Sequence, residues 1–280
     1  MPDHADPAPV PASAPERHAL RAGFDADAEA YQRTRPVGPP EMFDVLVRLA
    51  RLSPGDRVVE IGCGTGQATV PLAERGLAVT AIELGPALAR VARRRLAGFP
   101  AVEVVTSAFE DWNPDLRGAG AVVAINCLHW IDPAVRYAKP AGLLKPDGAM
   151  VVGGWAWARP EDAEPFWAQV QEDYRAVGFE GSPPPPPAQI EAWHFPAEAS
   201  QYFEEVASLR YPFQLTYSAG DYLAQLATQS GTRALGAVTA ERFLSLVRSR
   251  LEAAGWPSLT ATFVGRLAVA SRRGQAGQDG

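Results

Sequence analysis

Short apolar runs alternate along this chain with stretches in which apolar residues recur every three to four positions. Within Met42–Leu52, the residues Met42, Val45, Leu46 and Leu49 share one helical face. Arg57–Gly62 is a β-branched run that stops at glycines, and the pattern after it predicts a helix over Gln67–Arg75. The pair repeats as the apolar run Ala78–Ile82 and a helix over Pro86–Leu96. Val102–Thr106, Ala121–Ile125 and Ala149–Val152 are three further strand candidates. Runs this continuously apolar suit strands buried on both faces. Their alternation with helices implies right-handed β-α-β units and a parallel sheet, an α/β fold.

The second half reads differently. Asp132–Leu144 has a helical pattern with Pro140 in its middle, which predicts a kink or break there. Glu161–Gly178 reads as an amphipathic helix, Trp193–Tyr217 is rich in aromatics, and Ser218–Gln229 and Thr239–Ala254 are helix candidates. Leu259–Ala270 alternates as a late strand. Proline marks the joints. Five prolines fall within Met1–Pro15, in a stretch too poor in apolar residues to fold, and five more form the run Pro183–Pro187, predicted to be extended polyproline II. The expected organisation is a disordered tail over 1–18, a core with an N-terminal helical lid over 19–157, a cap insertion over 158–201, the C-terminal part of the sheet with its helices over 202–272, and a loose tail over 273–280.

Charge and composition narrow the function classes. A formal net charge of −6 argues against a surface built to coat nucleic acid. No apolar run is long enough to cross a membrane, and the N-terminus lacks the basic-then-apolar order of a secretory leader; a cytoplasmic protein is expected. Cys63 and Cys127, with His4, His18, His129 and His194, show no metal-ligand spacing, so no metal is expected. The arginines of Arg90–Arg95 read as a solvated basic helix face.

The chemistry concentrates where the first strand ends. Val58-Val59-Glu60-Ile61-Gly62-Cys63-Gly64-Thr65-Gly66 delivers a strand into a turn with glycine at every second position. Bare backbone permits positive φ and lets a ligand lie against the main chain. The diphosphate fingerprint G-x-G-x-x-G needs its third glycine at position 67, which is Gln67. Glu83 ends the second apolar run about 20 residues after Gly62, the place from which a carboxylate accepts both hydroxyls of a ribose.

These residues resemble the class I S-adenosylmethionine-dependent methyltransferases. The likeness rests on the E-x-G-x-G-x-G loop from Glu60 to Gly66, on Glu83, and on the Leu143-Leu144-Lys145-Pro146-Asp147-Gly148 turn. Phe24-Asp25 and Tyr31–Pro36 resemble the helical entry segment of small-molecule members, and Asn126–Asp132 resembles the equivalent stretch of trans-aconitate and juvenile-hormone-acid methyltransferases. The resemblance implies a Rossmann-like, mostly parallel seven-stranded sheet with helices on both faces. It implies S-adenosylmethionine as cofactor, lying over Gly62, Cys63, Gly64 and Gly66, with Glu60 at the loop or the cofactor's amino group. Glu83 would take the ribose, Leu84, Ala108 and Phe109 the adenine, Asn126 and Leu128 the methionine arm, and Tyr31 and Arg35 the methionine carboxylate. Ala108 departs from the family's usual aspartate.

A small-molecule acceptor methylated at a carboxylate or hydroxyl oxygen is the reading this supports. His129 would be its base or orienter and Trp130 a wall of its pocket, with Trp155, Trp157, Trp193, Phe195 and Tyr202 as further aromatic candidates. Methyl transfer is an in-line displacement and depends mainly on positioning. The same fold and cofactor could serve C- or N-methylation or a non-methylating cyclisation. A nicotinamide oxidoreductase is the rival from another class, with Gln67 against it.

Overall fold

The computed structural model describes residues 23–115, 117–160, 162–179 and 183–274. The expected N-terminal tail and most of the C-terminal one lie outside the described residues. The chain divides into two compact units: a core unit of Val37–Gly154, Ala192–Tyr211 and the chain from Gly265 on, and a second unit of the chain up to Pro36, Trp155–Glu191 and Pro212–Val264. The segment 158–201 is therefore shared between them.

In the core unit, helix α2 (Pro40–Leu49) leads into β1 (Arg57–Ile61), α3 (Thr69–Glu74), β2 (Ala78–Glu83), α4 (Pro86–Arg95), β3 (Val102–Thr106), β4 (Ala119–Ile125), α5 (Ala138–Leu143) and β5 (Leu144–Ala158). The strands β6 (Phe203–Ser218) and β7 (Ser258–Arg272) complete a seven-stranded sheet of order β3-β2-β1-β4-β5-β7-β6. Strands β5, β6 and β7 continue along the chain into the second unit.

β1 pairs in parallel with β2 (Val59 opposite Thr80) and with β4 (Val59 opposite Val122), and β2 with β3 and β4 with β5 are parallel too. All seven residues of β4 are buried, which is why Ala119–Ile125 carries no polar alternation. β7 runs the other way. Tyr211 lies against Gly265 while Glu204 accepts from Ser271, so residue numbers rise on β6 as they fall on β7.

The order reverses between β1 and β4, so the C-terminal ends of β1, β2 and β4 border the crevice where ligands bind in such sheets. The core packs Val59, Ile61, Ile82, Val122, Ala124, Met150 and Val152 into one buried cluster. Each fully buried valine or isoleucine contributes roughly 1.5–3 kcal/mol.

The elements depart from the sequence reading at identifiable points. The expected helix over Gln67–Arg75 begins only at Thr69, because Gln67 folds back onto the loop. Asp132–Leu144 is a turn followed by the short helix α5, with Pro140 in its first turn, where a missing N–H costs nothing. β5 extends well beyond Ala149–Val152, and β6 spans much of the aromatic stretch read only as aromatic-rich.

The basic face of α4 is only partly solvated: Arg93 donates to Val104 O (2.8 Å) and Thr106 Oγ1 (2.7 Å), tying the helix to β3.

The second unit has its own core. Phe166, Val170, Tyr222, Phe243, Val247 and Phe263 are buried together, with Trp155 and Trp157 packed against them. Helix α1 (Ala28–Thr34) follows a 3-10 turn at Phe24–Asp27 and is capped by Asp27 Oδ1, which accepts the Ala30 N–H at 3.0 Å. The expected Glu161–Gly178 helix narrows to α6 (Phe166–Ala176), followed by α7 (Ala219–Ala227), α8 (Ser230–Ala234) and α9 (Ala237–Ala253). The proline run is not extended throughout, since Pro187 opens a 3-10 turn through Gln189.

Candidate functional site

The chain leaves β1 through Gly62, Gly64 and Gly66, whose φ values are +63°, +58° and +89°. Three left-handed residues in five give a tight loop that only glycine forms without strain. Gly62 is bare for a second reason. A Cβ there would stand 2.8 Å from the Cβ of Cys127, whose thiol donates to Ile61 O at 2.8 Å. The loop thus folds directly onto the segment following β4.

Inside the loop, Gly66 N donates to Cys63 O at 2.9 Å. Gln67 accepts the Thr65 N–H at 3.1 Å and donates to Thr65 Oγ1 at 2.7 Å. The side chain that breaks the diphosphate fingerprint is a clamp across the turn. Cys63 is buried, which pushes its thiol well above its ordinary value.

Two carboxylates border the loop. Glu83, 7 % exposed, accepts the Gly64 N–H on Oε2 and the Gly85 N–H on Oε1, both at 2.8 Å. The two amides fix the carboxylate between the loop and the turn after β2. Glu60 is 2 % exposed, and burial lifts its carboxyl from 4.5 to about 7, with the Glu83 charge raising it further. Glu60 Oε2 and Thr69 Oγ1 are both buried without a hydrogen-bond partner. A buried acid with an unmet oxygen beside bare main chain suits a ligand cation or hydroxyl.

The strap after β3 closes the next side. Ser107 N donates to Glu83 O at 2.9 Å, joining the tips of β2 and β3, and the Ser107 hydroxyl turns onto Ala108 O. Leu84 follows Glu83 directly. Phe109 is 1 % exposed and belongs to the core cluster, its ring 6.4 Å from that of Trp112.

After β4, Asn126 takes φ +56°, and its N–H donates to Gly153 O at 2.9 Å. Its side chain occupies the space over Gly154, where a Cβ would collide with Oδ1. Leu128–Trp130 forms a 3-10 turn with Leu128 and Trp130 buried, and the rings of His129 and Trp130 are 4.8 Å apart.

The structure thus gathers Glu60, Gly62–Gly66, Glu83, Leu84, Ala108, Phe109, Asn126 and Leu128–Trp130 in the core unit, at or just beyond the ends of β1, β2, β3 and β4. Tyr31 and Arg35 belong to the second unit. There the Arg35 guanidinium lies 4.8 Å from the Tyr31 ring centroid and donates to Thr228 O at 2.7 Å. Trp155 and Trp157 pack in the second unit's core, whereas Trp193, Phe195 and Tyr202 pack against that of the core unit.

Sequence reading did not single out Gly154, against which the Asn126 side chain packs. The Gly153-Gly154 pair inside a strand was the one available signal, since glycine there marks a close approach. Among the described residues no group of three or more His, Cys, Asp or Glu is placed to hold a metal ion, and no helix is long and apolar enough to cross a membrane.

A parallel sheet reversing at β1/β4, a three-glycine loop and an acid at the tip of β2 define the class I methyltransferase fold. Residues 58–148 match the family described as a methyltransferase domain.

The chain is 32 % identical over 167 residues to an uncharacterized methyltransferase of Mycobacterium bovis, covering 60 % of this chain and 63 % of that one. It is 34 % identical over 127 residues to a ubiquinone biosynthesis O-methyltransferase of Xanthomonas campestris, covering 44 % and 53 %. The chain therefore spans less than two thirds of the length of either relative. Among solved structures, a candidate type II methyltransferase from Anaeromyxobacter dehalogenans shares the fold at a TM-score of 0.60 and 22 % identity, over 85 % of this chain and 97 % of that one.

Proposed function

We propose that this chain transfers a methyl group from S-adenosylmethionine to an oxygen of a small-molecule acceptor. The observation that carries the reading is the Glu83 carboxylate, held by the Gly64 and Gly85 amides at 2.8 Å each at the mouth of the glycine loop. A carboxylate so fixed at the tip of β2 stands, without reorganising, where the diol of a nucleoside is held in such sheets. The unmet Glu60 Oε2 fits the amino group of the same cofactor.

S-adenosylmethionine held there supplies a methyl group on a cationic sulfur. This chain's part is to position the acceptor and to manage one proton. The 3-10 turn Leu128–Trp130 places His129 and the Trp130 ring together after β4. His129 accepts the proton of a hydroxyl acceptor, or donates a hydrogen bond to a carboxylate that needs no base. The aromatic ring beside it tolerates cationic charge. Oxygen is favoured as the methylated atom by the X. campestris relative, named as an O-methyltransferase.

Calorimetry with S-adenosylmethionine and with NAD separates the proposal from an oxidoreductase, and binding of NAD alone would overturn it. Product mass separates transfer from cyclisation, because a product gains one methylene only if the methyl group moves. His129→Ala is expected to lower kcat at least about 10²-fold if the histidine moves the proton. A wild-type rate would assign it to the scaffold.

A further inference from the structure

The strap after β3 and the loop after β4 are joined by one lysine and one glutamate. Lys139 Nζ donates to Phe109 O at 2.6 Å and to Glu110 O at 3.0 Å, and stands 5.0 Å from the Phe109 ring centroid. From the same strap, Glu110 Oε1 accepts the Asp132 N–H at 3.1 Å. Arg136, one turn before Lys139, donates to Ile131 O at 3.2 and 2.8 Å. Charged groups from the short segment Asp132–Lys139 therefore hold both the strap carbonyls and the backbone beyond Trp130.

This is more than a lysine covering apolar surface with its stem. A snorkelling lysine keeps its ammonium in water. Here two of its three donors are spent on consecutive carbonyls, and burial lowers its pKa while the charges of Glu110 and Asp111 raise it. Hydrogen bonds from an ammonium are about twice as strong as neutral ones. At position 108, where the resembled family carries an aspartate, the side chain is a methyl group, and Ser107 turns its hydroxyl back onto Ala108 O.

We propose that Lys139 is a positioning residue. It fixes the Ala108–Glu110 strap against which the nucleobase rests, and through the Glu110 carboxylate it sets the loop bearing His129 and Trp130. The inference rests on the methyltransferase reading above. It makes the strap and the acceptor loop one braced body, so that filling the nucleobase site is felt at Trp130.

Calorimetry with S-adenosylhomocysteine, together with fluorine NMR of 5-fluorotryptophan-labelled protein, tests both halves. The Trp130 resonance is assigned by its loss in Trp130→Phe. Lys139→Met is expected to weaken S-adenosylhomocysteine roughly tenfold, and Lys139→Arg less, because it keeps the charge. Glu110→Ala is expected to leave affinity within about twofold while abolishing the ligand-induced shift of the Trp130 resonance.

Wild-type affinity in Lys139→Met, or a wild-type Trp130 shift in Glu110→Ala, overturns the brace. Should Lys139→Met fail to fold, Lys139→Arg decides: weakened binding supports the proposal and wild-type binding overturns it. If the wild-type protein itself ignores S-adenosylhomocysteine, it is the methyltransferase reading that fails.

Discussion

Glu83 and Gly64 are joined by a hydrogen bond of 2.8 Å, from the N–H of a left-handed loop residue to a buried carboxylate oxygen. The other oxygen holds the Gly85 N–H at the start of α4. One side chain thus sets the loop, the tip of β2 and the entry of the next helix.

Glu83→Ala removes two charge-assisted bonds to the fold and both proposed bonds to the ribose. S-adenosylmethionine affinity is expected to fall by about 10²-fold or more in calorimetry. The thermal midpoint should fall as well, because the Gly64 amide, buried in the loop, loses its acceptor. Affinity that survives unchanged in folded Glu83→Ala would remove the ribose assignment.

Glu60 gives a pH dependence of definite sign. Its carboxyl titrates near 7 in the folded chain against 4.5 when unperturbed, because burial disfavours the charge. Between these values the native state holds a proton that the unfolded chain has released, so stability falls as pH rises through that window and levels above it. Glu60→Gln abolishes this slope. It is expected to match the wild type near pH 4, below the unperturbed value, and to exceed it by up to about 3 kcal/mol at pH 8 in urea melts. A cofactor ammonium beside Oε2 favours the charged form. Binding at pH 6 is therefore expected to release a proton, read by calorimetry in buffers of different ionisation enthalpy.

Gly62→Ala meets two obstacles, a φ of +63° and the Cys127 Cβ at 2.8 Å. A loss of roughly 1–3 kcal/mol is expected from the backbone conformation alone, with the clash in addition. In Gly62→Ala/Cys127→Gly only the clash is relieved, so the double-mutant cycle should show favourable coupling. Strict additivity would contradict the contact.

In the second unit, Arg250 grips the buried Asp173 with two bonds, of 2.7 and 2.8 Å, and reaches Glu172 at 3.2 Å. Arg250→Ala leaves Asp173 buried without its partner and is expected to cost about 3–5 kcal/mol in chemical denaturation. Arg250→Lys, lacking the planar fork, should lie between. A loss below about 1 kcal/mol would mean that the pair is solvated.

Local signals were enough where one element dictates its own conformation. β3 lies where its apolar run placed it, and the glycines of 62–66 announced a loop that only they can form. Gln67 was legible as an exception to a diphosphate loop, but not as a clamp on Thr65, because that bond depends on the turn already being closed. β6 escaped notice because it lies at the edge of the sheet: most of its side chains are exposed or half-buried, so no buried run betrays it. Lys139 escaped for a similar reason, its partners Phe109 and Glu110 being some 30 residues away in sequence.

The amino-acid order by itself determined the β-α-β alternation, the bare loop after β1 and the acid at the end of β2, since periodicity and glycine content act over a few residues. Only tertiary structure decided that β7 runs antiparallel between β5 and β6, that Cys127 packs on Gly62, and that Tyr31 and Arg35 belong to a separate compact unit. These are contacts between distant positions, selected by which surfaces can be buried together.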